Sequence, residues 1–270
     1  MGDCRQRLGR KGTDQLRSPN GLLDSIMKVI AIIPAAGLGT RMGPASSTTR
    51  LSAAKAAPSK QFTELGGVPV LVHTLRKFVA LPAIEEIYVA LRLSESASFQ
   101  VRLQQERFSK PVHLLEGGEH RQQSVANALA AVRAEDDDIV LVHDAVRPFV
   151  SDEIITNVIQ AAISHGAAIA GVPAVDTIKL VDRSAAEAII TATVPRERAV
   201  LAQTPQGFRL GLLRRAMAAA QEDGFSGTDE ASLLERSGHE VVVVMGSPRN
   251  FKITTPADLE LAEFYTKKGS

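Results

Sequence analysis

The chain has 270 residues, of which 44% are hydrophobic, so it can bury a large core and is not a disordered chain. Its 31 Lys and Arg side chains against 30 Asp and Glu give a formal net charge of +1, which excludes a strongly basic nucleic-acid-binding protein. No apolar run approaches the ~18 residues of a membrane span, so we expect neither nucleic acid nor a membrane as a partner.

The first 26 residues differ from the rest of the chain. Basic side chains outnumber acidic ones there, and the apolar stretch of a signal peptide is missing. We expect either that Met27 is the functional start or that residues 1–26 are a disordered extension; a targeting peptide is the less favoured alternative. The one cysteine, Cys4, lies in this segment, which excludes an internal disulfide and favours a reducing, cytoplasmic setting.

From Val29 onwards, strand-like apolar runs alternate with segments of helical spacing. The runs are Val29–Ile33, Ile87–Leu91, Val112–Leu115, Ile139–Val142, Ala167–Val172 and Val241–Val244. Apolar residues recur every three or four positions in stretches that begin at Val70, Val125 and Ile154. We therefore predict a single α/β domain over residues 27–270, with a Rossmann-like, mostly parallel twisted sheet and helices on both faces. Ligands of such folds bind beyond the carboxyl ends of the strands.

Residues 175–201 interrupt this alternation with two β-branched runs around a polar turn at residues 182–185. This pattern predicts a two-stranded arm that protrudes from the main body. An isolated hairpin is barely stable in water, so we expect the arm to pack on a second subunit.

The stretch "IIPAAGLGTRMG", Ile32–Gly43, follows the first predicted strand. Its glycines match neither the dinucleotide pattern G-x-G-x-x-G nor a Walker A loop, which argues against a NAD-binding oxidoreductase. Backbone N–H groups at Gly37 and Gly39 can form an anion-binding nest, and Arg41 and Lys60 supply nearby positive charge. The residues therefore favour a phosphate-binding loop, with an ordinary glycine turn as the alternative.

Further blocks follow in a fixed order along the chain. They are "KQF" (Lys60–Phe62), "EGGEHRQQSV" (Glu116–Val125), "VHDAVRPFV" (Val142–Val150), "VDTIKLV" (Val175–Val181), "LAQTPQGF" (Leu201–Phe208), "TDEASLLE" (Thr228–Glu235) and "NFKITTPADLELAE" (Asn250–Glu263). Together with the glycine loop, these blocks resemble the sugar and alditol phosphate nucleotidyltransferases and, more narrowly, the 2-C-methyl-D-erythritol 4-phosphate cytidylyltransferase family.

The resemblance implies a reaction of the non-mevalonate isoprenoid pathway. A phosphate oxygen of methylerythritol phosphate attacks the α-phosphorus of CTP, and pyrophosphate leaves. The nucleophile is already an anion, so no catalytic base is needed, and we expect the six histidines to be structural. The resemblance also implies Mg²⁺ held mainly by the CTP phosphates, with Asp144 as an additional contact, and a homodimer.

The resemblance also implies which residues form the site, because they occupy the positions of the family's motifs. Those expected to be catalytic are Arg41, Lys60, Lys252 and Arg196, the last reaching from the arm into the neighbouring subunit's site. Those expected to bind CTP are Ala35, Ala36, Gly37, Gly39, Gly118, Glu119, Ser124, Asp144 and Ala145. Those expected to bind methylerythritol phosphate are Arg147, Thr177 and Thr204.

Several alternatives stay open. The family places its lysine soon after the glycine loop, whereas a long stretch rich in small residues intervenes here and Ser59 separates Pro58 from Lys60, so Lys55 is a rival. Arg198 is a rival of Arg196. Ribitol 5-phosphate is the alternative substrate, although Lys179 and the arm favour methylerythritol phosphate, and a non-catalytic nucleotide-binding module is the alternative class.

Overall fold

A computed structural model describes residues 27–37, 59–184 and 187–268. In chain order the elements are β1 (Val29–Pro34), a 3-10 turn (Lys60–Phe62), β2 (Glu64–Leu65), β3 (Val68–Pro69), α1 (Val70–Ala80), β4 (Glu86–Leu91), α2 (Leu93–Glu106), β5 (Val112–Glu116), α3 (Arg121–Ala131), β6 (Ile139–Val142), α4 (Asp152–His165), β7 (Ala167–Pro173), β8 (Ile178–Arg183), β9 (Ala188–Val194), a second 3-10 turn (Arg196–Arg198), β10 (Val200–Arg209), α5 (Leu210–Glu222), α6 (Glu230–Arg236), β11 (Val242–Met245) and α7 (Pro256–Lys267).

Seven of these strands form one sheet in the order β11-β7-β10-β6-β1-β4-β5. Every neighbouring pair is parallel except the two pairs made by β10, which runs antiparallel to both β6 and β7. The predicted mostly parallel sheet is therefore confirmed, and all six predicted strands form. The seventh strand, β10, was not predicted.

The central strand β1 explains why the sheet carries helices on both faces. Ile30 and Ile32 point into one apolar layer with α3 and α5, and Ala31 and Ile33 point into the other with α1, α2 and α4. All four side chains are fully buried. Side chains alternate between the faces of a strand, so a continuous apolar run requires cover on both sides.

Strand β10 crosses the middle of the sheet although it carries polar side chains. Each of these side chains finds a partner: Gln206 Nε2 donates to Asp229 Oδ2 at 2.7 Å, and Gln203 Nε2 donates to the Ser247 carbonyl at 2.8 Å. The pairing of β10 with β7 shifts register between Ala202 and Gln206. The strand is thus held by specific hydrogen bonds as well as by its buried Phe208.

Strands β8 and β9 form a separate antiparallel sheet of two strands, which confirms the predicted hairpin arm. Large apolar side chains of the arm and of the adjoining start of β10 are exposed: Leu180, Ile189, Ile190, Val200 and Leu201. Residues 1–26 lie outside the described part of the chain. In that part, no helix is both long and apolar enough to cross a membrane.

Candidate active site

A cleft opens at the carboxyl ends of β1 and β6, the edge where an α/β sheet binds its ligands. Its floor is formed by the end of β1 and the residues that follow it, 34–37, and by residues 144–146 after β6. Side chains complete its walls, and these are Lys60, Gln61, Arg121, Ser124, Lys252, Ile253 and Thr254. The cleft therefore joins residues from the glycine loop, from α3 and from the segment before α7.

Asp144 lines this cleft and is 6% exposed. Its Oδ1 accepts a hydrogen bond from Arg121 Nε at 3.2 Å, while its Oδ2 contacts Arg147 Nε at 3.2 Å and Lys252 Nζ at 3.1 Å. Burial alone would raise the pKa of Asp144, but Arg121, Lys252 and Arg147 together hold it well below its usual range. Asp144 is therefore a carboxylate that fixes three cations.

Lys60 enters the cleft from the 3-10 turn. Its Nζ donates to the Thr254 carbonyl at 2.8 Å, and the neighbouring Gln61 Nε2 donates to the Ala35 carbonyl at 2.6 Å. Thr254 is fixed in turn, because its N–H and its hydroxyl both donate to Asp258 Oδ2 at 2.8 Å. The turn thus connects the glycine loop to the start of α7, where Thr255 is the N-cap and Pro256 the first helical residue.

A buried ion pair between Arg121 and Glu230 is a feature that the sequence prediction missed. Arg121 Nη1 lies 2.7 and 2.8 Å from the two carboxylate oxygens of Glu230, which is 1% exposed. Burial lowers the pKa of Arg121, but the Glu230 and Asp144 carboxylates raise it above its ordinary value. Both residues stand in quoted blocks, yet no sequence pattern pairs positions that are 109 residues apart. The start of α6 is held by its N-cap Asp229, whose side chain accepts from the Ser232 N–H.

A chain of hydrogen bonds connects Asp144 to a neighbour on β10 and to residues in the loop after β6. The Asp144 N–H donates to Thr204 Oγ1 at 3.0 Å, Thr204 Oγ1 lies 3.2 Å from His143 Nδ1, and His143 Nε2 lies 3.1 Å from the Arg147 carbonyl. A carbonyl can only accept, so Nε2 carries the ring proton and Nδ1 accepts from the threonine hydroxyl. Burial lowers the pKa of His143 to about 4, which keeps the ring neutral at physiological pH.

The residues expected to read cytosine come together beside the alanines of the glycine loop. Ser124 Oγ accepts from the Gly118 N–H at 3.0 Å, and Gln123 Oε1 accepts from the Glu119 N–H at 3.1 Å. The approach to the glycine loop is close, because a Cβ added at Gly117 would lie 2.4 Å from Ala36 Cβ. A side chain at that position would push the two loops apart.

Other predicted residues lie elsewhere. Thr177 and Arg196 are both exposed at the base of the arm, where Ile178 pairs with Val194, and neither lines this cleft of its own chain. Arg147 is largely buried, with Nη1 donating to the Asn250 carbonyl at 2.7 Å. The residues Gly39 and Arg41 and the rival Lys55 lie outside the described residues. Within 27–37, 59–184 and 187–268, no group of three or more His, Cys, Asp or Glu side chains could hold a metal ion.

The fold and the cleft define the class of protein. One cleft at the strand ends of this mostly parallel sheet holds small loop residues, two lysines and a buried carboxylate. This combination is typical of an enzyme that binds a nucleotide through its phosphates.

Comparison with known proteins gives the family. Residues 29–268 match the family model described as 2-C-methyl-D-erythritol 4-phosphate cytidylyltransferase. The chain is 56% identical over 244 residues to the protein of that name from Acidobacterium capsulatum, covering 90% of this chain and 99% of the relative. It is 49% identical over 243 residues to the one from Solibacter usitatus, covering 90% and 97%. This chain belongs to the 2-C-methyl-D-erythritol 4-phosphate cytidylyltransferase family.

Solved structures agree with this assignment. The Francisella tularensis 2-C-methyl-D-erythritol 4-phosphate cytidylyltransferase superposes with a TM-score of 0.71 at 35% identity, covering 88% of this chain and 99% of the other. The 4-diphosphocytidyl-2C-methyl-D-erythritol synthase from Anaerococcus prevotii superposes with a TM-score of 0.73 at 28% identity, covering 89% and 99%. The predicted family, fold and class of activity, a cytidylyltransferase, are confirmed.

The neutral state of His143 predicts how stability depends on pH. The pKa of this group is about 4 when folded and near 6.5 when unfolded, so the unfolded state binds the proton first as the pH falls. The stabilisation is complete above about pH 6.5 and is lost towards pH 4, a change of roughly 3 kcal/mol. Chemical unfolding of His143→Gln should give a flatter pH dependence over this range than the wild type does. The exposed His165→Gln should keep the wild-type dependence, and equal slopes for the wild type and His143→Gln would contradict the prediction.

Proposed function

We propose that this chain transfers the cytidylyl group of CTP to 2-C-methyl-D-erythritol 4-phosphate, releasing pyrophosphate and forming 4-diphosphocytidyl-2-C-methyl-D-erythritol. The observation that carries this proposal is the cleft in which Lys60, Lys252 and Asp144 lie together beside the backbone that follows β1. The names of the relatives from Acidobacterium capsulatum and Solibacter usitatus support the choice of substrate.

In this proposal CTP lies along the floor of the cleft. Backbone groups of Ala35, Ala36 and Gly37 contact the nucleoside, while Gly118, Glu119 and Ser124 form one group that reads the cytosine. Cytosine offers an amine donor beside carbonyl and ring-nitrogen acceptors, so a hydroxyl and backbone groups can distinguish it from uracil. Asp144 and Ala145 hold the ribose side. Support comes from the placement of Ala35, Ala36, Gly37, Ser124, Asp144 and Ala145, which all line the cleft.

The chemical step forms one P–O bond and breaks another. A phosphate oxygen of methylerythritol phosphate attacks the α-phosphorus of CTP, and the bond to the β-phosphate oxygen breaks as pyrophosphate leaves with its electron pair. Such reactions depend on positioning and on charge stabilisation. Lys60 stabilises the triphosphate, Lys252 bridges the two substrates, and Arg41 acts with Lys60. The contacts that hold Lys60 to Thr254 and Lys252 to Asp144 support this assignment, because they fix both ammonium groups before substrate arrives.

Mg²⁺ is the divalent ion of this proposal. Asp144 is the only acidic side chain among the described residues that line the cleft, and three cations already engage its carboxylate. This donor set fits a metal held mainly by the CTP phosphates, with Asp144 as its protein contact. When bound, Mg²⁺ neutralises phosphate charge.

Methylerythritol phosphate is assigned to Arg147, Thr177 and Thr204. Support for Thr204 and Arg147 comes from their hydrogen bonds to Asp144, which itself lines the cleft. Their hydrogen bonds also give them a supporting role, because they fix the backbone and carboxylate of Asp144.

The single cysteine of the chain is consistent with the reducing cytoplasm, where we place the reaction.

A homodimer completes the site in this proposal. The arm exposes Leu180, Ile189 and Ile190, and an apolar surface of this kind is typical of a protein interface. Arg196 follows β9 on the arm, and its side chain is 61% exposed. It would therefore be free to reach the cleft of a neighbouring subunit.

The test of the function is a pyrophosphate-release assay with methylerythritol phosphate, Mg²⁺ and each of CTP, UTP, ATP and GTP. CTP should be turned over at least about tenfold faster than the other nucleotides. A different base would lose at least one of the hydrogen bonds that the site makes to cytosine. Faster turnover of ribitol 5-phosphate would overturn the assigned substrate. Absence of pyrophosphate with every nucleotide would leave a nucleotide-binding module instead of an enzyme.

The role of Lys60 predicts a large kinetic effect. Lys60→Ala should lower kcat by on the order of 10²–10³, as expected for the loss of one preorganised charge. Lys55→Ala is the matched control and should stay near the wild-type rate in the same steady-state assay. A silent Lys60→Ala with a damaged Lys55→Ala would move the assignment to Lys55.

The shared site predicts complementation between subunits. Arg196→Ala and Lys60→Ala homodimers should each be weakly active, whereas mixed dimers should regain activity because one of their two sites is complete. The measurement is steady-state turnover after mixing, with subunit exchange shown by mass spectrometry of labelled chains. Exchange without any recovery of activity would refute the shared site, and Arg198→Ala tests the rival arm residue.

A further inference from the structure

Ser59 directly precedes Lys60 and is buried, as are Lys60 and Gln61 after it. It occupies the N-cap position of the 3-10 turn, but its side chain makes no capping hydrogen bond. Instead, its hydroxyl donates to Glu95 Oε1 at 2.5 Å and accepts from Arg92 Nη2. The hydroxyl thus points away from its own turn and towards the start of α2.

Arg92 and Glu95 are placed to receive this hydroxyl. Arg92 is the residue before α2, Glu95 lies in the first turn of α2, and Arg92 Nη2 lies 2.8 Å from Glu95 Oε1. Both side chains are partly buried, and Arg92 Nε and Glu95 Oε2 have no hydrogen-bond partner among the described residues. The pair therefore does not adopt the bidentate geometry that would satisfy more of its polar atoms. Its arrangement instead encloses the serine hydroxyl.

The other side chains of the turn are anchored to different elements. Gln61 bonds to Ala35 in the glycine loop, and the ring of Phe62 packs edge-on against Phe99 of α2 at a centroid distance of 5.6 Å. Among the described contacts that hold this turn in place, the one made by the Ser59 hydroxyl lies on the N-terminal side of Lys60. Without it, the backbone before the lysine would lose its tie to α2.

We propose that Ser59, Arg92 and Glu95 are positioning residues that hold the Lys60 ammonium where it meets the triphosphate. This inference rests on the proposed role of Lys60 and extends it to a contact that the family resemblance did not suggest. Among the described residues, the cluster contacts neither of the other two cations that line the cleft, Arg121 and Lys252, so we expect it to act through Lys60. A displacement of the ammonium by about 1 Å is enough to cost one to two orders of magnitude in rate.

The test begins with Ser59→Ala. We expect kcat to fall by roughly tenfold to a hundredfold, while the KM for methylerythritol phosphate stays within about twofold of the wild type, because that substrate is bound elsewhere. Ser59→Thr keeps the hydroxyl and should recover most of the rate. Ser98→Ala is the matched control: it removes a hydroxyl that donates to the Glu95 carbonyl on the exposed face of α2, and it should have the wild-type kcat.

A double-mutant cycle separates positioning from a general structural role. If Ser59 acts through Lys60, then adding Ser59→Ala to Lys60→Ala should lower kcat little further. Loss of the same factor in both backgrounds would refute the proposal, and so would a wild-type kcat for Ser59→Ala when Lys60→Ala is impaired. A silent Lys60→Ala would refute the assigned role of Lys60 itself.

A second variant guards against loss of the fold. Glu95→Gln keeps the size of the side chain and an acceptor for the serine, but it removes the charge that pairs with Arg92. We expect an intermediate fall in kcat with a thermal unfolding midpoint close to that of Ser98→Ala. If Ser59→Ala does not fold, a wild-type kcat for folded Glu95→Gln refutes the proposal.

Discussion

The buried carboxylate of Asp144 is the constraint on which the cleft depends. Removing a charge from water is costly unless it is paired, and here Arg121, Arg147 and Lys252 share the compensation. Each of these cations belongs to a different segment of the chain: Arg121 to α3, Arg147 to the loop after β6 and Lys252 to the segment before α7. One carboxylate therefore fixes the relative positions of the three segments. In the proposed reaction, the charge of Lys252 would therefore be in place before the triphosphate binds, which lowers the reorganisation that the reaction requires.

Most strands of the sheet could be predicted because each is recognisable from its own residues. Strands such as β1 are buried on both faces, and their continuous apolar runs identify them without reference to any distant residue. Strand β10 gives no such signal. Its centre reads Gln203-Thr204-Pro205-Gln206, and a proline among polar residues argues against a central strand. Only Asp229, Ser247 and other distant partners make its burial acceptable, and these are not visible from its own sequence.

The same distinction holds for the cleft. Ala35, Lys60, Ser124, Asp144 and Lys252 could be predicted because they stand in the sequence blocks by which the chain resembles its family, and the structure places them together. The Arg121–Glu230 pair and the Ser59 cluster could not be predicted in this way. They depend on where two helices begin relative to each other, which is a property of the packed fold and not of any single motif. Sequence patterns therefore miss the residues that hold other site residues in place.

The place of β10 between β6 and β7 has a consequence for how the chain assembles during synthesis. The four strands β5, β4, β1 and β6 are all present once residue 142 has been made, but β7 can join them only through residues 200–209. A nascent chain therefore holds an unpaired β6 edge until β10 arrives. Over that interval the edge consists of four apolar residues, Ile139–Val142, which is the kind of strand edge that pairs readily with another chain, and its pairing with residues 206–209 of β10 removes this hazard.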